Sequence, residues 1–262
     1  MTIPIYQADA FTKSLFGGNP AAVCPLKEWL PDATMQRIAI ENNLSETAFL
    51  VKDKDNYHIR WFTPGTEVKL CGHATLAAAH ILFTVLNHPG NAITFHSKSG
   101  DLQVSRLQDG QLTLDFPANP PTPVTEVPKG IFEGLGIADA PVFSTSFDYM
   151  VVLPSAQVVE DLAPDFKVLA QAPCRGVIVT AAGSESDFVS RCFYPQSGID
   201  EDPVTGSAHT IMVPYWADRL KKQRLSAIQL SGRRGHLDCT LNGNRVLMSG
   251  YAVTYLKGEI YI

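Results

Sequence analysis

The chain has 262 residues, of which 45% are hydrophobic and 18% charged, and its formal net charge is −5. Such a chain is long enough for one large hydrophobic core or two medium ones. The acidic balance and the lack of a long Lys/Arg run argue against a nucleic acid or a membrane surface as partner, so a small molecule is the expected ligand.

The sequence opens without the basic and apolar regions of a signal peptide, and no apolar stretch reaches the roughly 20 residues of a membrane span. We therefore expect a cytoplasmic protein. The five cysteines are scattered and form no Cys-x-x-Cys pair, so neither a disulfide framework nor a structural zinc site is predicted.

Short alternating segments predict that the first half of the chain is rich in strands. A helix capped by Asp32 is expected to run to about Asn42. The strands are expected near residues 3–8, 21–24, 44–51 and 57–63.

A second helix is expected over residues 72–86, where apolar side chains cover every face. Such a helix must be enclosed, not laid on a surface. A meander of three strands, at residues 92–96, 102–107 and 112–116, is predicted to supply the curved antiparallel sheet around it.

The segment 117–128 contains five prolines and is expected to connect two domains. We place an N-terminal half-domain at 1–117, joined by a final strand near 252–262, and a C-terminal half-domain at 118–262. The second half is expected to repeat the organisation of the first, with strands around a helix after Gly206 that contains Pro214. That proline predicts a kink or a late start.

A repeated motif supports this division. Arg-x-Phe-x-Pro occurs at Arg60 and again at Arg191, 131 residues later, which is half the chain length. Each copy leads to a helix that opens on a glycine, Gly72 or Gly206. The repeat predicts a duplicated fold.

The two helix starts are candidate anion sites, because unpaired N–H groups and the helix dipole favour negative charge there. Gly72 and Gly206 would let a carboxylate approach the backbone. The alternative is that these glycines only satisfy turn geometry. Helix capping explains Ser207 well and Asp202 less well, since Asp202 lies about four residues before the helix.

Glu46 and His73 are candidates for proton transfer. Glu46 opens an apolar strand, and partial burial would raise its pKa toward the range of a general acid or base; the alternative is a solvated edge residue. His73, near a helix start, is expected to be neutral, although a structural histidine is also common. At an offset of 131, Glu46 maps near Val177, so proton chemistry is expected on one side only. Cys71-x-His73 resembles half of a metal site, but no second pair exists, so no metal is predicted.

Four blocks of the sequence together resemble the PhzF-like (phenazine biosynthesis-like) family. They are Asp9-Ala10-Phe11-Thr12 with Gly18-Asn19-Pro20, Ser45-Glu46-Thr47-Ala48-Phe49, Cys71-Gly72-His73-Ala74-Thr75 and Glu201-Asp202-Pro203-Val204-Thr205-Gly206-Ser207-Ala208. The resemblance implies an α+β, diaminopimelate epimerase-like fold. Two pseudo-symmetric domains would each place a curved, mostly antiparallel sheet around a central helix, with the active site in the cleft between them.

The resemblance also implies a cofactor-free isomerase, commonly a homodimer. Its proton-shuttling glutamate matches Glu46, and its partner residues match His73, Asp202 and Ser207. Further substrate-binding positions are expected at Asn19, Ser45, Gly72 and Gly206.

The expected reaction is movement of a proton on a small carboxylate-bearing substrate. Epimerase relatives use two thiols, one at each helix start; here Cys71 stands near the first position and the second has no cysteine. A two-thiol racemase is therefore disfavoured. An epimerase that uses Cys71 with another base, and a non-catalytic small-molecule binding protein, remain as alternatives.

Overall fold

The computed structural model describes all 262 residues, and the chain divides into two compact units. The first unit comprises residues 1–116 and 248–262, and the second comprises residues 117–247. None of the helices combines the length and the apolar composition needed to cross a membrane.

Six α-helices, one 3-10 helix (Pro195–Ser197) and eighteen strands make up the chain. The helices are α1 (Asp32–Asn42), α2 (Gly72–Thr84), α3 (Ile131–Leu135), α4 (Ala156–Asp161), α5 (Phe166–Leu169) and α6 (Gly206–Leu220). The strands are β1 (Thr2–Ala10), β2 (Asn19–Leu26), β3 (Glu46–Asp53), β4 (Asn56–Phe62), β5 (Glu67–Val68), β6 (Ala92–Ser97), β7 (Gly100–Arg106), β8 (Leu112–Pro117), β9 (Thr122–Pro123), β10 (Val142–Ser144), β11 (Asp148–Val152), β12 (Gly176–Ala182), β13 (Phe188–Tyr194), β14 (Ile199–Asp202), β15 (Arg224–Gln229), β16 (Gly235–Asn242), β17 (Arg245–Gly250) and β18 (Ala252–Tyr261).

In the first unit, mostly antiparallel strands surround α2. β1 pairs antiparallel with β2 and β18, while β2 with β3 and β4 with β6 run parallel. α2 packs against β1, β2, β3 and β18, and every residue from Gly72 to Ala79 is buried. Strand cover on several sides suits a helix that is apolar all round.

The helix α1 belongs to a separate apolar cluster of the first unit. Its buried residues Met35, Ile38 and Ala39 pack with side chains of the strands, including Phe49. The expected cap at Asp32 is wrong: Pro31 occupies the cap position without a side-chain bond, and Asp32 instead accepts a hydrogen bond of 2.8 Å from Arg60.

In the second unit, the central helix is α6. β11 with β12 and β13 with β15 run parallel, whereas β12 with β13 and β15 with β16 run antiparallel. α6 packs against β15 and β16 and buries most of its first two turns. The short helices α3, α4 and α5 join a second apolar cluster with β11, β12 and β13.

Pro214 lies inside α6 without delaying its start. The helix runs from Gly206 to Leu220, so the expected late start is wrong. Proline has no N–H, which leaves the carbonyl of Thr210 without its usual helical donor. The backbone N–H of Asn119 donates to that carbonyl at 3.0 Å, which compensates for the missing bond.

The repeated Arg-x-Phe-x-Pro segments carry the same side-chain structure in both units. Arg60 forms a two-bond fork with Glu67, with both hydrogen bonds at 2.8 Å. Arg191 forms the same fork with Glu201, again at 2.8 Å twice. Each guanidinium also lies over the phenylalanine two residues later, at 5.2 and 5.1 Å. The duplication thus extends from backbone to side-chain contacts.

The strand register identifies the residue of the second unit that corresponds to Glu46. In β3, the residue opposite Arg60 lies three positions after Glu46; in β12, the residue opposite Arg191 lies three positions after Gly176. The sequence offset pointed one residue further, to Val177, because Val179 and Arg191 are one residue further apart along the chain than Phe49 and Arg60. A glycine therefore occupies the position of the glutamate.

Candidate functional site

Three groups capable of proton transfer meet at the start of α2, and we call them the first centre. Glu46 begins β3, Cys71 is the residue before α2, and His73 is the second residue of the helix. His73 Nε2 lies 3.1 Å from Glu46 Oε2, and His73 Nδ1 lies 3.6 Å from Cys71 Sγ. The structure therefore brings the two candidates for proton transfer into contact.

The contact between Glu46 and His73 is close but is not aligned as a hydrogen bond. Both atoms are buried, and neither Glu46 Oε2 nor His73 Nε2 has a hydrogen-bond partner that satisfies the angular requirements. The Glu46 side chain is 13% exposed, whereas His73 is 4% exposed. This leaves the carboxylate partly accessible next to a buried proton carrier.

Asn19 determines which nitrogen of His73 carries the proton. Its side chain is fully buried, and Nδ2 lies 3.1 Å from His73 Nδ1. The amide nitrogen can only donate, so in the neutral ring Nδ1 accepts and the single proton lies on Nε2, which faces Glu46. The sequence assigned Asn19 to substrate binding; the structure shows it bonded to the histidine.

The electrostatics of His73 differ from the sequence-based expectation of an easily neutral ring. Burial opposes a charge on His73, while the Cys71 sulfur and the Glu46 carboxylate favour one, and the balance raises the pKa of His73 well above its ordinary value. Burial raises the pKa of the Cys71 thiol to about 11, so the sulfur is uncharged near neutral pH. We therefore attribute the effect on His73 mainly to Glu46.

The first centre also has the residue types of a metal site. One ligand atom each from Glu46, Cys71 and His73 lie within 4.8 Å of one another. A divalent ion would need the thiolate form of Cys71 and an unprotonated histidine nitrogen. The raised pKa of the thiol and the Asn19 contact at Nδ1 both oppose this arrangement.

A second centre, around the start of α6, contains Asp202 and Ser207. The Thr205 hydroxyl donates to Asp202 Oδ2 at 2.5 Å. Gln229 is fully buried; its Oε1 accepts from the Thr205 N–H at 2.9 Å and its Nε2 donates to the Asp202 carbonyl at 2.7 Å. These bonds hold the turn that leads into the helix.

Neither α2 nor α6 has a side-chain cap. Cys71 and Thr205 stand at the cap positions, and neither side chain accepts a bond from the first turn. Asp202 is engaged with the Thr205 hydroxyl, and the Ser207 hydroxyl accepts from Arg175. The capping explanation of Asp202 and Ser207 is therefore wrong, and both helix starts keep the N–H groups that attract anions.

The remaining expected positions lie beside these groups. Gly72 and Gly206 are the first residues of α2 and α6, and both are buried. Ser45 immediately precedes Glu46 and is half-buried.

Sequence reasoning missed a charged pair next to Ser207. Arg175 donates from Nε to Asp148 Oδ1 at 2.8 Å and from Nη2 to Asp148 Oδ2 at 2.5 Å, and Nη2 also lies 3.1 Å from Ser207 Oγ. The Asp148 side chain is completely buried. The two residues are 27 positions apart and meet because β11 and β12 run parallel, which no local motif signals.

The fold is α+β and diaminopimelate epimerase-like. Together with relatives that carry the name isomerase, it identifies the chain as an isomerase. A hydroxyproline epimerase from Agrobacterium vitis shares that fold alone, with 9% identity, a TM-score of 0.61 and 99% and 92% of the two chains covered.

The chain belongs to the PhzC-PhzF family of phenazine biosynthesis-like proteins, which matches residues 8–258. An uncharacterized isomerase of Pseudomonas aeruginosa is 52% identical over 262 residues, with both chains completely covered. A crystal structure of a PhzF family protein from Enterococcus faecalis superposes with a TM-score of 0.95 at 46% identity, again over the whole of both chains.

Proposed function

We propose that this protein is a cofactor-independent isomerase that moves a proton on a small carboxylate-bearing substrate, with Glu46 as general acid and base. The observation that carries the proposal is the contact of a partly accessible carboxylate with a buried histidine at the start of α2. A base that must return its proton needs a stable polar partner, and His73 supplies one.

The other residues receive roles in the same reaction. His73 holds its proton toward Glu46 and stabilises the carboxylate after each transfer, while Asn19 keeps the imidazole in that tautomer. We assign anion binding to the helix starts at Gly72 and Gly206, together with Ser207. Asp202 assists from the second centre. Ser45, next to the proposed base, is assigned to substrate binding.

The test is deuterium exchange in D2O over a panel of small unsaturated and amino carboxylates, followed by assay of Glu46→Gln on any substrate found. The amide has nearly the same shape but cannot take the proton, so turnover should fall by about 100-fold or more. Glu41→Gln, on the exposed side of α1, is the matched control and should retain full activity. Normal turnover by Glu46→Gln would remove Glu46 from the mechanism.

The thiol provides the test of the alternative epimerase. Cys71 lies 3.6 Å from His73, close enough to take part in proton transfer. We expect Cys71→Ser to keep most of its turnover, because the thiol is protonated near neutral pH. A nearly inactive Cys71→Ser variant, with solvent deuterium at an inverted centre, would favour the epimerase. A ligand that binds tightly and never exchanges deuterium would favour a binding protein.

We further propose that the protein is a homodimer, as the family resemblance implies, and that it acts in the cytoplasm, as expected from the sequence. Light scattering after size-exclusion chromatography should give twice the mass of the chain. A single chain mass across dilutions would contradict the dimer.

A further inference from the structure

Arg175 combines a fixed orientation with an accessible edge. Asp148 holds Nε and Nη2 of the guanidinium through two hydrogen bonds, and the Asp148 carboxylate has no exposed surface. The Arg175 side chain is nevertheless 41% exposed. A forked pair with a buried carboxylate determines the direction of the guanidinium plane, because both partners are planar.

The bonds of Arg175 leave one nitrogen for another partner. Nε and Nη2 serve Asp148, and Nη2 also serves the hydroxyl of Ser207. Nη1 makes no hydrogen bond within the protein, although a guanidinium carries two donors there. This nitrogen belongs to the same side chain that reaches Ser207, the second residue of α6. The hydrogen bond from Nη2 to Ser207 therefore connects the guanidinium, with its unbonded Nη1, to the uncapped start of α6.

Two aromatic rings flank the same guanidinium. The ring centroids of Phe147 and Tyr194 lie 5.6 and 5.4 Å from the Arg175 carbon Cζ. Phe147 is 57% exposed, which is unusual for phenylalanine, whereas Tyr194 is 7% exposed. Both rings contact the guanidinium, and the exposed ring provides apolar surface next to the charge.

The Tyr194 hydroxyl is a second, independent sign of a polar ligand. Its oxygen is buried and has no hydrogen-bond partner, and burial raises the pKa of Tyr194 well above its ordinary value. Tyr194 pairs with Ile199 at the start of β14, the strand that ends at Asp202. A buried hydroxyl without a partner is costly unless another group satisfies it.

We propose that Arg175 is the residue that binds the carboxylate of the substrate, through Nη1 beside Ser207, and that Asp148 is its positioning residue. The proposal rests on the proposed function, because it names the partner of the carboxylate in that reaction. Because Asp148 and Arg175 together are formally neutral, the pair orients donors without adding a large net charge, and the α6 dipole supplies the remaining attraction. The exposed Phe147 ring favours a substrate with an apolar or unsaturated body.

The experiment uses acetate as the probe and the full chain. Acetate is titrated at constant ionic strength while the backbone amide signals of Gly206, Ser207 and Ala208 and the Nε–H signal of Arg175 are followed by NMR. We expect saturable shifts with acetate and none with acetamide, its neutral counterpart. Arg175→Met should weaken acetate binding by about tenfold or more, the effect of one charge-assisted hydrogen bond.

Two further variants serve as controls. One separates the forked geometry of Arg175 from its charge, and the other tests the effect of losing a positive charge elsewhere in the unit. Arg175→Lys keeps the charge but loses the fork and should bind acetate with intermediate affinity, whereas Arg224→Met, at an exposed site of the same unit, should bind like the wild type. Glu46→Gln should also bind like the wild type, so failure of the base assignment would leave this result intact. Absence of saturable shifts in the wild type, or unchanged binding in Arg175→Met, would overturn the proposal.

Discussion

Gly176 is the residue of the second unit that corresponds to Glu46. Its replacement by alanine tests whether a side chain fits at this position. A Cβ atom at residue 176 would lie 2.1 Å from Cδ1 and 2.3 Å from Cε1 of Tyr194, and 2.8 Å from the carbonyl oxygen of Phe193. These distances are far below the 3.4 Å at which ordinary van der Waals contact begins. The Tyr194 ring occupies the space of a side chain at this position, and it is buried, so it cannot turn away freely.

Overpacking of this kind costs about 1–3 kcal/mol, and the nearby carbonyl oxygen places Gly176→Ala in the upper part of that range. For a chain of this length each kcal/mol corresponds to roughly 2–4 °C in Tm. The assay is thermal and urea unfolding of the purified variant. Gly232→Ala is the matched control, because nothing lies within 4 Å of its Cβ position, and it should unfold like the wild type.

A double-mutant cycle identifies the group responsible. The cost of Gly176→Ala should be smaller in a Tyr194→Ala background, because the two closest atoms are then absent. If Gly176→Ala unfolds at the same temperature as the wild type, or if its cost is the same with and without the tyrosine ring, the steric reasoning is refuted.

Three further predictions concern the first centre. Glu46→Gln should lower the pKa of His73, followed by NMR of the ring, because the anionic neighbour is lost; an unchanged pKa would contradict that cause. A pKa of His73 that is higher in the folded than in the unfolded state stabilises the fold below about pH 6.5, and this contribution is lost as the pH rises through the raised value. The free energy of unfolding should therefore fall less over that range in Glu46→Gln than in the wild type. Dialysis against EDTA should leave turnover unchanged, since Cys71 keeps its proton; a loss of activity restored by zinc would show a metal instead.

The sequence predicted those parts of the fold that depend on local patterns. The helix over Asp32–Asn42 and the start of the helix at Gly72 agree with the structure, because apolar periodicity and turn residues mark them. The short helices α3 and α4 were not predicted, since five or six residues carry too little periodicity. The charged pair of Asp148 and Arg175 was missed because strand pairing, not spacing along the chain, brings its members together.

The two units share a repeated strand and helix arrangement and differ in the side chains at corresponding positions. By register, the position of Glu46 is Gly176, and the residue before each is Ser45 in one unit and Arg175 in the other. The first unit thus presents a carboxylate where the second presents a guanidinium one residue earlier. Inversion by two thiols would require a thiol in the second centre that ionises readily, and burial raises the pKa of Cys192 well above its ordinary value. Both units keep the arginine fork. With the proposed proton transfer in the first unit and the proposed anion binding in the second, this arrangement favours an isomerase with a single base.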